Sequence, residues 1–180
     1  MYRRNWQTSY DSWKKRLNDA QNEDGLSLAP YEEQWRLMDT VHQRCVLEAS
    51  EEQQGRINST AEEPSRRFGH GLPGSGKTQV MKWLADYFQE VWGWRPGVQF
   101  VFLAPLNSMA SRINGSTVHS WAEVEWRKAG PKGGMHIQMG NKNGDMSSMA
   151  AKMELCRWLF IDEVEAVGAE ILGAMEQHIS

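Results

Sequence analysis

The sequence predicts a three-layer α/β domain with a parallel sheet, and three stretches support this. A glycine-rich segment at residues 71–78 leads into a helix with a regular apolar stripe. Residues 98–104 are apolar at nearly every position, as expected for a strand that is covered on both faces. A second apolar strand, at 158–161, ends in two carboxylates. Because helical segments separate these stretches, the strands are expected to be parallel.

The glycine-rich segment carries the strongest chemical signal. Residues 71–78, Gly-Leu-Pro-Gly-Ser-Gly-Lys-Thr, match G-x-x-x-x-G-K-[ST] without a mismatch. Its glycines allow positive φ, so successive N–H groups can surround a phosphate, and the following helix points its positive dipole end at the same anion. Lys77 can reach the β- and γ-phosphates, and the Thr78 hydroxyl can hold Mg²⁺. The segment predicts a nucleoside triphosphate site formed by Gly71, Gly74, Ser75, Gly76, Lys77 and Thr78.

Two helices are predicted before this loop. The first spans 6–17, where aromatic and apolar residues recur at helical spacing, and its basic run at 14–16 fits either a solvated face or a phosphate contact. The second spans 31–47, and its apolar stripe consists of Trp35, Met38, Val41, Val46 and Leu47. An acidic, polar connection at 50–65 then leads to a short predicted strand at 66–70.

Further helices are predicted after the loop. Residues 78–92 form the helix with the apolar stripe, and residues 108–113 form a short helix. Another helix is expected around Trp121 and Trp126, and a closing helix spans 164–180.

These elements indicate two parts of the chain. Residues 1–63 form an N-terminal polar and helical segment with its connection, and residues 64–180 form the α/β domain. A glycine-rich insertion at 129–145 predicts a loop or a β-hairpin within that domain.

A second chemical signal follows the strand at 158–161, which ends in Asp162 and Glu163. In a phosphate-loop ATPase, Asp162 would hold Mg²⁺ through water together with Thr78, and Glu163 would polarise the attacking water as general base. The pattern by itself also fits a buried strand followed by an acidic helix start. Its position after a complete phosphate loop favours the catalytic interpretation, with Lys77 and Glu163 as the catalytic residues.

Composition limits the classes of function. The chain of 180 residues has 20 basic and 23 acidic residues and a net charge of −3, so any nucleic-acid surface must be local. Two cysteines, Cys45 and Cys156, provide no disulfide framework and suit a reducing compartment. His42 and Cys45 form a ligand-like pair with no second pair nearby, which argues against zinc. No stretch is long enough to span a membrane, and the N-terminus lacks the apolar run of a secretory signal.

Among phosphate-loop proteins, the carboxylate pair favours an ATPase that does mechanical work. A small-molecule kinase rarely needs Asp-Glu after the strand, because its substrate and not water is the nucleophile. Residues 141–145 nearly match the guanine-reading box of GTPases, but they miss one position and precede the Asp-Glu strand. No signature of ABC-type ATPases occurs. ATP and Mg²⁺ are therefore the expected cofactors.

Three motifs within residues 64–180 resemble the Pif-one-like DNA helicases, the RecD-related branch of helicase superfamily one. One is the phosphate loop. Residues 98–120 run from an apolar strand through Ala-Pro to Gly-Ser-Thr-Val-His-Ser, where the family has Ala-Pro-Thr-Gly and then Gly-x-Thr-Ile-His-Ser. Residues 160–164, Phe-Ile-Asp-Glu-Val, are similar to its Asp-Glu-Ile-Ser strand. The resemblance implies a RecA-like motor domain that couples ATP hydrolysis to DNA unwinding.

The resemblance also implies roles for residues outside the phosphate loop. Gln34 matches, across a longer gap than usual, the upstream glutamine that reads adenine. The residues that would lie near single-stranded DNA are Asn107, Ser108, Thr117, His119 and Ser120. Leu106 and Asn107 replace the Thr-Gly of the family, which weakens the expected contact with the DNA backbone. For the last three residues, a satisfied turn and helix cap is an equally good interpretation.

The expected function is that of an ATP-dependent DNA helicase of 5′–3′ polarity in DNA repair, recombination or telomere maintenance. Its partners would be single-stranded or tailed duplex DNA, and its location the nucleus or the mitochondrion. A second motor domain is expected beyond Ser180, so the 180-residue chain alone is expected not to unwind DNA. The alternative is a nucleotide-binding module that is kept for interaction and lacks helicase activity.

Overall fold

The computed structural model describes residues 5–53, 66–69, 71–72, 74–123, 125–128, 135–138 and 147–179. The chain folds as two compact units, Met1–Trp92 and Gly93–Ser180, and each is described on its own. The domain boundary expected at residue 63 stays a prediction. Among the described helices, none has the length and apolar character needed to cross a bilayer.

The described part of the first unit is helical. Helix α1 spans Trp6–Asn18 and begins where the Asn5 side chain accepts a hydrogen bond from the backbone N–H of Thr8. Helix α2 spans Glu32–Gln53. Helix α3 spans Lys77–Tyr87 and continues as a π-helical turn over Phe88–Trp92. The three helices predicted from apolar spacing in this part of the chain are therefore confirmed.

The buried face of α2 differs from the predicted stripe. Met38 and Val41 are buried as expected, but Leu47 is exposed and Val46 is only half-buried. The inward positions after Val41 are His42, Cys45 and Ala49. These positions keep the spacing of three and four residues that one helix face requires, whereas 46 and 47 lie beside that face. The sequence prediction followed hydrophobicity and missed a buried histidine.

His42 lies among aromatic side chains of the first unit. Its ring stacks on Tyr10, with 3.7 Å between ring centroids, and its Nδ1 lies 2.8 Å from the Tyr87 hydroxyl. That hydroxyl also accepts a hydrogen bond of 2.6 Å from the indole N–H of Trp92, so it can donate to His42 Nδ1. Within the described residues, His42 Nε2 is buried without a hydrogen-bond partner. This arrangement suits the neutral imidazole.

Two residues of the basic run at 14–16 make ion pairs within the first unit. The Lys14 ammonium lies 2.9 Å from the carboxylate of Asp39, which also accepts a hydrogen bond from the Tyr10 hydroxyl. The Arg16 guanidinium pairs with both carboxylate oxygens of Glu90, at 2.6 and 2.8 Å. These contacts favour the interpretation of the run as a helix face over that of a phosphate contact.

The environment of His42 predicts a pH dependence of stability. Burial lowers the pKa of His42, against the opposing effect of the Asp39 carboxylate. The stabilising contribution of the neutral ring is present above the unfolded-state pKa of about 6.5, and it is lost as the pH falls through the lower folded-state pKa. We expect the free energy of unfolding, measured by denaturant titration, to fall between about pH 7.5 and about pH 5.5. A His42→Gln variant, which cannot titrate, should lose much of this slope, and an unchanged slope would contradict the assignment.

The second unit alternates strands and helices. In chain order its elements are β1 Phe100–Ala104, α4 Asn107–Ala110, β2 Ser116–Thr117, α5 Val118–Trp121, β3 Glu125–Lys128, β4 Met135–Gln138, α6 Ser147–Leu155, β5 Trp158–Ile161 and α7 Ala169–Ile179. The predicted strands at 98–104 and 158–161 and the short helix at 108–113 are confirmed, the last as α4 followed by a 3₁₀ turn.

Three strands form a parallel sheet in the order β2-β1-β5. The central strand β1 is buried at every position, which explains its nearly unbroken apolar sequence. Alternate residues of β1, Val101 and Leu103, pack against α5 and α7 through Trp121 and Ile171. The sheet confirms the predicted α/β class with parallel strands, and it places the carboxyl ends of all three strands at one edge.

Two predicted elements are wrong. Residues 66–69 form no strand, and the remainder of that prediction, His70, lies outside the described residues. Phe68 is 68% exposed and Gly69 is exposed as well, so this segment lacks the cover that a central strand needs. The helix expected around Trp121 and Trp126 ends at Trp121, because the backbone turns to a positive φ of 51° at Glu123. Trp126 lies in β3 instead.

The remaining differences concern the end of the chain. Strands β3 and β4 pair antiparallel, which favours the hairpin interpretation of the glycine-rich insertion, although the pairing begins at Glu125. Most of the insertion at 129–145 lies outside the described residues. Helix α6 was not predicted, and the closing helix begins at Ala169, after a 3₁₀ turn at Val164–Ala166.

Candidate nucleotide-binding site

The glycine-rich segment at 71–78 forms a loop that leads directly into α3. Gly74 and Gly76 both have φ of +82°, a conformation that other residues rarely adopt. The backbone N–H of Ser75 donates to the carbonyl oxygen of Leu72 at 3.1 Å. His70 and Pro73 lie outside the described residues. Alternating left-handed glycines are what a backbone needs to direct successive N–H groups around one anion.

Lys77 is the first residue of α3, and its side chain folds back over the loop. Its ammonium group donates a 2.8 Å hydrogen bond to the carbonyl oxygen of Gly71. The positive charge therefore lies over the loop. Thr78 follows at the second position of the helix and is half-buried. Both side chains therefore lie at the start of the helix that follows the loop, and their contacts with phosphate and Mg²⁺ stay a prediction.

The glycines at positions 71 and 76 lie close to neighbouring side chains. A Cβ on Gly71 would lie 2.5 Å from the Oγ of Ser75, so the Ser75 side chain would have to shift if position 71 carried one. A Cβ on Gly76 would lie 2.7 Å from Nε2 of Gln34, and the φ of +82° at Gly76 is a second reason for glycine at this position.

Gln34 reaches the loop from the first turn of α2. Its Nε2 donates to the carbonyl oxygen of Ser75 at 3.3 Å, and its Oε1 accepts from the backbone N–H of Tyr31 at 2.8 Å. The sequence proposed Gln34 as an adenine contact only through a resemblance and across a long gap. The structure brings it to the phosphate loop itself, and no local pattern in the sequence indicates that contact.

The carboxylate pair lies in the second unit, directly after β5. The backbone N–H of Asp162 donates to the carbonyl oxygen of Leu103 at 2.8 Å, which continues the pairing with β1 by one residue. One carboxylate oxygen of Asp162 accepts the N–H of Glu163 at 3.1 Å, and among the described residues the other oxygen has no hydrogen-bond partner. Oxygen donors of this kind suit Mg²⁺.

Glu163 adopts a strained backbone conformation. Its φ of 50° and ψ of 47° lie in the left-handed region, which costs a non-glycine residue about 1–2 kcal/mol. Its side chain is exposed. Such strain at an acidic residue next to a strand end is typical of functional sites, where the surrounding structure holds the residue in place.

The candidate DNA contacts share the sheet edge with Asp162. Ala104, the last residue of β1, pairs with Thr117 at the end of β2, and Leu103 pairs with Ile161 of β5. The segments that follow these three strands therefore begin side by side. Asn107 and Ser108 start α4 after β1 and are exposed.

Thr117 has a structural role in addition to any contact with a ligand. Its Oγ1 accepts the backbone N–H of Ser120 at 3.2 Å and thereby caps α5. His119 is half-buried, and Ser120 is exposed on the same helix. The helix-cap interpretation of this segment is confirmed for Thr117, and the DNA contacts of Asn107, Ser108, Thr117, His119 and Ser120 stay a prediction.

Gly115, which opens this segment, lies against the central strand. A Cβ at this position would lie 2.3 Å from the carbonyl oxygen of Phe102 and 2.9 Å from its carbonyl carbon. Phe102 is buried in the middle of β1, so its carbonyl group cannot move without disturbing the sheet. The glycine of the Gly-x-Thr motif is therefore explained by close packing of the backbone.

This packing predicts a large difference between two glycine substitutions. Gly115→Ala should lower the free energy of unfolding by about 1–3 kcal/mol, because it overpacks the contact with β1. Gly168→Ala is the matched control, since nothing lies within 4 Å of a Cβ at that position. Thermal unfolding of both variants measures the difference. Equal stabilities would contradict the close approach at Gly115.

The ligand-like pair His42 and Cys45 is part of the core. Both side chains are buried in the first unit, and the Nδ1 of His42 lies at the Tyr87 hydroxyl. Within the described ranges, no group of three or more His, Cys, Asp or Glu residues is arranged to hold a metal ion. The second cysteine, Cys156, is half-buried, and burial raises its pKa to about 11, so its thiol is protonated at neutral pH.

A family model described as an AAA domain matches residues 48–180. The matched range contains the loop at 71–78, both carboxylates after β5 and the segment at Gly115. It does not include Gln34. No curated protein and no solved structure matches the chain.

Proposed function

The chain belongs to the AAA-domain family of phosphate-loop NTPases, and on this premise we propose that it is the ATP-hydrolysing motor domain of a DNA helicase. The observation that carries nucleotide binding is the geometry of the loop at 71–78. Two glycines with φ of +82° shape it, and Lys77 lies over it. This combination of a curved backbone with one fixed cation matches the β- and γ-phosphates of a nucleoside triphosphate.

The residues divide the chemistry between them. The backbone N–H groups of the loop bind the phosphates, and Lys77 neutralises the charge that develops on the γ-phosphate during transfer. For Mg²⁺, the sequence motifs assign the Thr78 hydroxyl as a ligand and Asp162 as the group that would hold the ion through water, and the ion would neutralise charge on the phosphate oxygens. Glu163 accepts a proton from the attacking water as general base. Each role uses a side chain whose chemistry suits it.

The helicase part of the proposal rests on the sheet edge of the second unit. The Thr117 segment and the Asn107 segment follow neighbouring parallel strands, and Asp162 follows the third strand. A ligand that contacts the exposed Asn107 and Ser108 would thus lie on the edge that carries the catalytic carboxylates. Because these segments lie at one sheet edge, a structural change at Asp162 on ATP hydrolysis could alter the neighbouring DNA contacts directly. The branch of helicases that the sequence resembles is part of this proposal.

Two observations favour the second candidate, a nucleotide-binding interaction module without helicase activity. Thr117 uses its hydroxyl oxygen to cap α5, and Leu106, which precedes Asn107, is apolar and 56% exposed. A leucine side chain has no hydrogen-bond donor, so it cannot contribute to binding a DNA phosphate at that position. In this alternative the motif residues stabilise the fold, and the nucleotide serves to order the domain for a partner.

Binding to single-stranded DNA separates the two candidates. For the motor domain, we expect the affinity for a fluorescent thymidine oligonucleotide, measured by anisotropy, to fall steeply between about 50 and about 200 mM salt. Asn107→Ala should weaken binding by about fivefold, which corresponds to the loss of one solvent-exposed hydrogen bond of about 1 kcal/mol. Ser12→Ala, on the exposed face of α1, is the control. Absence of binding at low salt would favour the interaction module.

A further inference from the structure

The amide of Gln34 connects the start of α2 to the phosphate loop, although Gln34 and Ser75 are 41 positions apart in the sequence. Its oxygen holds the backbone N–H of Tyr31 at 2.8 Å, and its nitrogen donates to the carbonyl oxygen of Ser75 at 3.3 Å. The first contact fixes the side chain on its own helix. The second therefore presents the amide to the loop in a defined orientation.

The contact is close enough to shape the loop. A Cβ on Gly76 would lie 2.7 Å from the Gln34 nitrogen, so the amide fills the space beside the peptide that joins Ser75 to Gly76. Gly76 itself has φ of +82° and is the residue from which α3 begins. Gln34 thus touches the loop where its backbone conformation changes from left-handed to helical.

The geometry of the peptide group gives this contact a consequence for phosphate binding. In a trans peptide the carbonyl oxygen and the following N–H point in opposite directions. When Gln34 binds the carbonyl oxygen of Ser75, the N–H of Gly76 points away from Gln34. The peptide group between Ser75 and Gly76 is thereby held in one orientation. The N–H of Gly76, a donor of the phosphate loop, therefore points in one direction before any ligand binds.

We propose that Gln34 is a positioning residue of the phosphate loop, which acts through the Ser75–Gly76 peptide. The inference rests on the proposed nucleotide binding, and it concerns the triphosphate and not the base. A residue that orients a backbone donor contributes equally to every ligand with the same phosphate chain. A residue that reads adenine contributes to adenine nucleotides alone. The amide retains one N–H and one lone pair, so base reading is the competing outcome.

Three ligands distinguish these roles: Mg-ATP, Mg-GTP and magnesium tripolyphosphate, each titrated calorimetrically into the protein. We expect Gln34→Ala to weaken all three by the same factor, about two- to tenfold, as for the loss of one hydrogen bond. A loss confined to Mg-ATP would overturn the proposal and assign Gln34 to the base. Unchanged affinity for all three ligands would also overturn it.

Two further variants keep the result specific. Gln34→Glu retains an oxygen that can accept the N–H of Tyr31, so the start of α2 stays intact. Its second oxygen cannot donate to the carbonyl oxygen of Ser75. We therefore expect it to weaken binding of all three ligands by the same factor. Its effect should persist at high salt, where a purely electrostatic effect of the new charge is screened. Gln43→Ala, exposed on the same helix, is the control and should bind as wild type does. If wild-type protein binds none of the ligands, the proposed function fails, and this outcome differs from failure of Gln34 alone.

Discussion

Lys77→Ala should weaken binding of Mg-ATP by roughly ten- to a hundredfold in a calorimetric titration, which corresponds to about 1.5–3 kcal/mol for hydrogen bonds to a charged group. Lys77 is the only basic residue in the segment 71–78, and its ammonium already lies over the loop at 2.8 Å from the Gly71 carbonyl oxygen. A bound triphosphate replaces that neutral acceptor with charged oxygens, so the interaction strengthens when the ligand arrives.

The design must separate loss of charge from loss of loop structure. Lys82→Ala removes a lysine from the exposed face of the same helix and is the matched control. Lys77→Arg retains the charge but changes its geometry, so it should recover part of the affinity. Equal affinities of wild type and Lys77→Ala would show that the loop at 71–78 does not bind the phosphates.

Glu163→Gln should leave Mg-ATP binding intact and slow hydrolysis by about 10²–10⁴-fold, the usual effect of removing a general base. The substitution keeps the size of the side chain and leaves Asp162, the proposed Mg²⁺ contact, unchanged. It also keeps the left-handed backbone at position 163, because it changes only the terminal group. Affinity and rate should therefore separate, which is the signature of a group that acts in the transition state.

The rate is measured in the longest form of the protein whose wild type turns over ATP. Glu165→Gln is the control, since Glu165 is exposed and lies two residues along the same segment. Hydrolysis by Glu163→Gln at a near wild-type rate would place the base elsewhere. Loss of binding as well as rate would instead indicate that Glu163 shapes the site.

The local chemistry of the chain predicted much of the candidate site. Residues 71–78 could be recognised because glycine at defined positions is the condition for a phosphate-binding backbone, and that condition depends on neighbouring residues alone. The strands at 98–104 and 158–161 could be recognised because a strand buried on both faces excludes polar residues along its whole length. The carboxylates followed from their position after such a strand.

Elements with weaker local signals were predicted less well. The helix expected through Trp126 depended on apolar spacing, but the positive φ at Glu123 ends it at Trp121, and a single glutamate gives no warning of that turn. The strand expected at 66–70 depended on composition, and Phe68 is exposed. In α2 the apolar pattern predicted that Leu47 is buried, whereas the buried residues are His42 and Cys45. His42 can be buried because an aromatic neighbour stacks on its imidazole ring.

The sequence by itself determined the phosphate loop, the helix that follows it and the two buried strands, since each depends on residues close together in the chain. Only the tertiary structure decided which strand lies at the centre of the sheet, that Gly115 must be a glycine because of the Phe102 carbonyl, and that Gln34 contacts Ser75. These features join residues between 13 and 58 positions apart. Such contacts depend on how elements pack, and packing is a property of the folded chain as a whole.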